Sequence, residues 1–400
     1  MWEKCKDLQE YIVSLRRGLH QIPELGLELP QTQAYITAEL DRLGISYKKN
    51  QGDSGIIGEI KGGQPGKGGQ PGKTVLLRAD IDALPLTEDT GLSFCSKNDN
   101  RMHACGHDAH GAMLLGALRV LQENRDQLKG TVRFLFQSGE EVLRGAQIAI
   151  DEGVLNGVDA VFGCHIGSIL NPDYPSGTVI AVPGCAMASV DHFILRIKGT
   201  GCHGSTPEKG VDPVSIACHT VLAMQEILAR EVAAPQPAVL TVGKINGGFA
   251  FNVIPSEVVL EGTTRTFDTA TREYLAKRIA EVSQGVAATF RGSCECQLDL
   301  DAGLPPVMNE PAMAALVAAS AKKVVGEDMV LTSVPSPNMG GEDFARFLEQ
   351  KPGAFFFLSS ADPAKGTTVP HHNPKFDIDE DVLSRGSAVF VSVTEDFLNA

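Results

Sequence analysis

Three short apolar runs, at 74–77, 131–136 and 160–163, each end in residues able to hold a metal ion or move a proton. The first leads into Asp80-Ile-Asp82, the second into Glu140-Glu141 and the third into Cys164-His165. Segments with helical spacing, at about 109–123 and 144–152, stand between them. Apolar strands alternating with helices predict a mostly parallel sheet covered by helices on both faces. In such sheets ligands bind beyond the carboxyl ends of the strands. The pattern therefore predicts one polar site assembled from segments far apart in sequence.

The segment Arg101-Met-His-Ala-Cys-Gly-His-Asp-Ala-His110 adds a thiol, three imidazoles and a carboxylate. Cys105 and His107 are two apart, so in an extended segment both would point to one side. Sulfur beside an imidazole nitrogen is a ligand set for zinc or a similar transition metal, while carboxylates also accept manganese. Together with Asp80, Asp82, Glu140, Glu141, His165 and His372, the candidates outnumber the ligands of one tetrahedral zinc. The surplus implies two metal ions, or one ion and a catalytic carboxylate. Of the adjacent Glu140 and Glu141, one can bind metal. The other, raised in pKa by its neighbour, can take a proton from water.

Helical spacing also marks 3–20 and 31–43. The strand-like stretches 54–60 and 74–79 are separated by Gly-Gly-Gln-Pro-Gly-Lys twice over, at 62–67 and 68–73, which reads as a lengthened hairpin loop. From about 185 the order changes to strand (190–197), helix (211–230), two strands (238–245, 256–265), helix (271–290) and strand (294–300). This β-α-β-β-α-β order is the ferredoxin-like unit. After Pro305-Pro306, helices at 311–325 and 379–398 flank a buried strand at 354–358. The expected organisation is an α/β domain in two parts, 1–186 and 303–400, with an α+β domain inserted at 187–302. A chain of 400 residues has material for two cores.

Some functions are disfavoured at once. Gly199-Thr-Gly-Cys-His-Gly204 has dinucleotide-binding spacing, but the residues after it delay the helix to about 211, where a phosphate would lose the helix N-terminus. Acidic residues outnumber basic ones, 49 to 35, for a formal charge of −14, which argues against a nucleic acid partner. No basic amphipathic stretch and no long apolar run suits a membrane. Nine scattered cysteines argue against a disulfide framework and for a reducing, cytoplasmic home, and the N-terminal stretch lacks the apolar core of a signal peptide.

Longer motifs run in order through the chain. They are Arg17-Gly-Leu-His20 with Pro23-Glu-Leu-Gly26, Leu77-Arg-Ala-Asp-Ile-Asp-Ala-Leu-Pro85, His103-Ala-Cys-Gly-His-Asp-Ala-His110 and Gln137-Ser-Gly-Glu-Glu141. Then follow His203-Gly-Ser-Thr-Pro207, Asn252-Val-Ile-Pro255, Gly262-Thr-Thr-Arg265, Gly340-Gly-Glu-Asp-Phe344 and His372-Asn-Pro374. Taken together they resemble the aminoacylase/carboxypeptidase G family of dinuclear metallohydrolases, in particular the subfamily of hippurate hydrolases and plant auxin–amino acid conjugate hydrolases. The resemblance spans nearly the whole chain. It implies a zinc-peptidase-like catalytic domain, an inserted lid and dimerisation domain, a homodimer or higher homo-oligomer, and two divalent ions per subunit, zinc or manganese.

By this resemblance Cys105, His107, Glu141, His165 and His372 are metal ligands, Cys105 standing where other branches place a bridging aspartate. Glu140 is the general base, Asp82 orients a ligand histidine, and His203 polarises the scissile carbonyl from its own or a partner subunit. Asn252 and Arg265 hold the substrate carboxylate, while His20 and His110 are pocket or supporting residues and Asp80 has no assigned role. The implied activity is cleavage of an N-acyl or N-aroyl amino acid to a carboxylic acid and a free amino acid. A di- or carboxypeptidase of the same fold is the alternative.

Overall fold

The structure is a computed structural model that describes residues 1–66 and 72–400. Two compact units form: one from Met1–Ala186, Met308–Ser336 and Asp343–Ala400, the other from Met187–Val307 and Pro337–Glu342.

The first unit is built on an eight-stranded sheet. Its strands run in the order Tyr47–Lys49, Ile56–Lys61, Thr131–Gln137, Thr74–Asp80, Ala160–Gly167, Gly353–Ser359, Val179–Ile180 and Val330–Leu331. The four central strands pair in parallel, as their near-continuous apolar runs predict. Val75, Leu77, Phe134 and Phe136 face a core shared with helices Gln9–His20, His107–Glu123 and Leu383–Asn399. Leu76, Leu135 and Val161 point the other way and are just as completely buried, so both faces are covered.

Three details depart from the sequence pattern. Ile56–Lys61 and Thr74–Asp80 are not a hairpin, because Thr131–Gln137 lies between them, antiparallel to the first and parallel to the second. A connection of about a dozen residues can step across one intervening strand, a span of roughly 10 Å. Part of the Gly-rich repeat, 67–71, lies outside the described residues. The third apolar run does not stop at residue 163; the strand continues to Gly167 because Gly353–Ser359 pairs along its whole length. The helix after Cys105 begins at His107 itself, two residues earlier than its apolar spacing suggests.

The second unit has a four-stranded antiparallel sheet in the order Ala238–Gly247, Glu257–Thr266, Asp191–Lys198, Ser293–Leu298. In sequence numbering that order is 2-3-1-4, the ferredoxin-like arrangement. Helices Pro213–Glu226 and Thr269–Thr289 pack on it around Phe193, Leu195, Ile197, Leu260, Leu275 and Ile279. Each helix starts where an aspartate accepts an amide of its first turn, Asp212 from Val214 and Asp268 from Thr271. The 199–204 stretch leads into a single turn at Pro207–Lys209 and reaches a helix only at Pro213, so no helix N-terminus backs it. All nine cysteines are free thiols. Among the described residues no helix is long and apolar enough to cross a membrane.

Candidate active site

The parallel strands of the first unit share one carboxyl end, and the residues there are charged. Thr74–Asp80 ends in Asp80 and leads to Asp82, while Thr131–Gln137 leads to Glu140 and Glu141. Ala160–Gly167 carries His165 near its end. Two loops complete the group. In one, Gly106 takes φ +92°, a left-handed conformation that lets the chain turn between Cys105 and the helix starting at His107. In the other, His372 itself adopts φ +61°, an unusual conformation for a side-chain-bearing residue, while its amide donates to the Ala104 carbonyl at 2.8 Å. That bond ties the last predicted ligand to the segment holding the first.

Donor atoms of Cys105, His107 and His165 lie within 4.8 Å of one another, as do those of Cys105, Glu141 and His372, and those of His107, Glu140 and Glu141. Cys105 belongs to both of the first two groups. Its Sγ is 3.4 Å from His165 Nε2. Cys105, His107, Glu140 and His165 are buried, whereas His372 stands at the exposed rim.

Backbone carbonyls fix which imidazole nitrogens face the cluster. His107 Nδ1 lies 2.9 Å from the Asp82 carbonyl oxygen and His165 Nδ1 lies 2.8 Å from that of Ile166. A carbonyl only accepts, so each ring carries its proton on Nδ1 and keeps its Nε2 lone pair for the cluster. The Asp82 carboxylate does something further: it accepts the amides of Glu140 and Glu141, both at 3.1 Å, and so pins the turn that presents the two glutamates. Its contact to the His107 ring is longer, 3.5 Å.

The donor set suits a divalent cation. Among the described residues, His107 Nε2 and Glu141 Oε1 are buried side-chain atoms without a hydrogen-bond partner, a costly deficit that a cation relieves. Burial pushes the Cys105 thiol well above its ordinary pKa and raises Glu141, so a nearby positive charge is what would favour their anionic forms. Thiolate, imidazole and carboxylate together fit zinc or manganese.

A buried charged layer lies behind these residues. Arg78 donates to Asp80 at 2.7 Å and to Asp343 at 2.8 Å, and Asp343 also accepts from Gln137 and from the Ala146 amide. Asp343 thereby serves the first turn of the Gly145–Asp151 helix. Arg16, on Gln9–His20, binds Asp108 at 2.9 Å, Asp377 at 2.9 Å and Glu380 at 3.1 Å. Asp108 also receives His20 Nδ1 at 2.7 Å. His371 is not exposed like its neighbour; its Nε2 donates to the Ile166 carbonyl at 3.1 Å. A Cβ on Gly167, whose φ is +130°, would stand 2.1 Å from that His371 nitrogen. Gly167→Ala is expected to displace His371 and cost about 1–3 kcal/mol, read as a lowered unfolding midpoint.

The remaining predicted residues belong to the second unit. His203 and Val253 pair across two short strands, and the Gly204 amide donates to the Asn252 carbonyl at 2.7 Å. His203 Nδ1 accepts the Ser205 amide at 3.1 Å, which leaves the ring proton on Nε2. Half-buried Arg265 donates to the Thr263 hydroxyl and to the Thr264 carbonyl.

Known proteins resemble this chain along nearly its whole length. The model of peptidase family M20/M25/M40 matches residues 76–396. An N-acetyl-L-cysteine deacetylase of Bacillus subtilis is 42% identical over 382 residues, 95% of this chain and 86% of that protein. An IAA-amino acid hydrolase ILR1-like 2 of Arabidopsis thaliana is 36% identical over 399 residues, covering 99% of this chain and 87% of its own. Among solved structures, the Bacillus subtilis YXEP protein, a dinuclear metal binding peptidase from the M20 family, superposes with a TM-score of 0.83 at 34% identity, covering 97% of this chain and 98% of that one. The chain belongs to peptidase family M20/M25/M40, as a metal-dependent amidohydrolase.

Proposed function

We propose that this enzyme hydrolyses N-acyl or N-aroyl amino acids, with Cys105, His107, Glu141, His165 and His372 holding two divalent ions. The observation that carries the reading is the shared position of Cys105, whose sulfur lies in reach of one group with His107 and His165 and of another with Glu141 and His372. A thiolate so placed would serve both groups of ligands. Ions held there would supply Lewis acidity to the scissile carbonyl and the attacking water.

The chain's own groups do the rest. Glu140, held by the Asp82 carboxylate through its amide, takes the proton of the attacking water and passes it to the departing amine. Asp82 keeps the Glu140–Glu141 turn and the His107 ring in register. In the second unit we assign His203, with its proton on Nε2, to the developing oxyanion. Arg265 and Asn252 are assigned to the substrate carboxylate, for which a guanidinium fork is well matched.

The deacetylase relative favours an acylated amino acid, and the peptidase description of the solved relative favours a peptide. Acetyl- and benzoyl-amino acids assayed beside dipeptides, with zinc or manganese added, separate the two. Release of amino acid from acylated substrates with dipeptides left intact is the expected result. Preferential cleavage of dipeptides would sink the N-acyl assignment and leave a metallopeptidase.

A further inference from the structure

Asp80 and His110 are fully buried beside the cluster and take no part in the chemistry above. Their donor atoms, with those of His107, form a group close enough to hold an ion. Their hydrogen bonds point elsewhere. Asp80 Oδ2 accepts from Arg78 Nη1 at 2.7 Å, and Asp80 Oδ1 lies 2.5 Å from His110 Nδ1. The Ile166 amide donates to His110 Nε2 at 2.9 Å. An amide only donates, so the His110 proton is on Nδ1 and its one lone pair is already used. His110 has nothing left for a metal ion.

The same residue continues the chain of contacts. The Ile166 carbonyl accepts from His165 Nδ1 at 2.8 Å, the bond that leaves His165 Nε2 bare toward Cys105. The His110 ring also packs against two of the proposed ligands. It stacks on His107 at 5.3 Å between ring centroids and meets the edge of His165 at 4.7 Å.

We propose that Asp80 and His110 are positioning residues, which fix the proton and the aim of His165 through the backbone of Ile166 and brace the His107 and His165 rings. The proposal rests on the metal-ligand reading above. It goes beyond it by giving roles to two side chains that bind neither substrate nor metal.

The test uses Co²⁺ alone, titrated into metal-free protein, with wild type, His110→Ala, His110→Gln and Asp80→Asn. The readings are equivalents bound, apparent Kd, the cobalt absorption spectrum and the unfolding midpoint of each metal-free form. His110→Ala should bind about 10–100-fold more weakly, with an altered spectrum. His110→Gln should recover most of the affinity, because its amide oxygen can still accept the Ile166 N–H. Asp80→Asn should weaken binding about 10-fold, since one amide oxygen cannot serve both Arg78 and His110, each a donor. Should His110→Ala not fold, Asp80→Asn carries the comparison.

Wild-type affinity and spectrum in His110→Ala, or in Asp80→Asn, would overturn the proposal. So would a loss confined to the metal-free midpoint with an unchanged spectrum, which marks a merely structural role. A wild-type protein that takes up no Co²⁺ overturns the metal reading itself, a distinct result.

Discussion

Replacing Glu140 by Gln is expected to lower kcat for N-acyl amino acid hydrolysis by about 10²–10⁴-fold while leaving bound metal and KM nearly unchanged. The amide keeps the shape of the side chain but cannot take a proton from water. The turn itself should persist, because Asp82 holds it through main-chain amides of residues 140 and 141, which the substitution does not touch. Neighbouring Glu141 is the internal control. It shares a further group with Cys105 and His372, so Glu141→Gln should reduce metal content first and activity in consequence. Metal analysis beside steady-state kinetics distinguishes the two glutamates. Unaltered turnover in Glu140→Gln would falsify its role as base.

The second large effect is structural. Arg16 is 1% exposed and satisfies three carboxylates, of which Asp108 is wholly buried. Arg16→Ala should cost the first unit about 3–5 kcal/mol, because Asp108 is left as a buried charge without its cation. The denaturation midpoint of that unit's transition is the measurement, with activity kinetics recorded separately. The pH dependence has a definite sign. Burial alone would raise Asp108, but the Arg16 charge and the His20 hydrogen bond outweigh it and hold the carboxyl well below the usual range. A depressed folded-state pKa contributes stability above the unfolded value of about 4 and loses it as pH falls toward the folded one. Wild type should therefore weaken as pH drops below about 4, and Arg16→Ala should show a shallower dependence there. Equal slopes in the two proteins would mean that the ion pair does not set the acid sensitivity.

Much of the site was legible in the sequence because it follows from where strands end. Asp82, Glu140, Glu141 and His165 could be placed at one rim from apolar runs alone, and they do stand there. His372 could not be reached that way. It sits on no strand or helix, and its place depends on a left-handed backbone and on one bond to Ala104, neither of which leaves a periodic trace. Motif resemblance alone pointed to it. The roles of Asp80 and His110 were hidden for another reason. Arg78 and Asp80 are two apart on one strand and so share a face, which was a readable signal. The partners that give the pair its meaning, His110 and the Ile166 amide, are joined to it only by tertiary packing. The short strands toward the two sides of the sheet were missed because pieces such as Tyr47–Lys49, Val179–Ile180 and Val330–Leu331 carry too few residues to show an alternation.

The sheet order has a consequence for synthesis on the ribosome. Gly353–Ser359 fills the slot between Ala160–Gly167 and Val179–Ile180, yet it is translated long after both and after the entire second unit. At about 5–20 residues per second, the wait from residue 167 to residue 359 is roughly 10–40 s. Throughout that interval the nascent chain carries an apolar strand with one unsatisfied edge, the kind of surface that recruits neighbouring chains. Chaperone capture of the growing polypeptide, or its loss to aggregates when translation stalls inside the insertion, is the liability this topology brings with it.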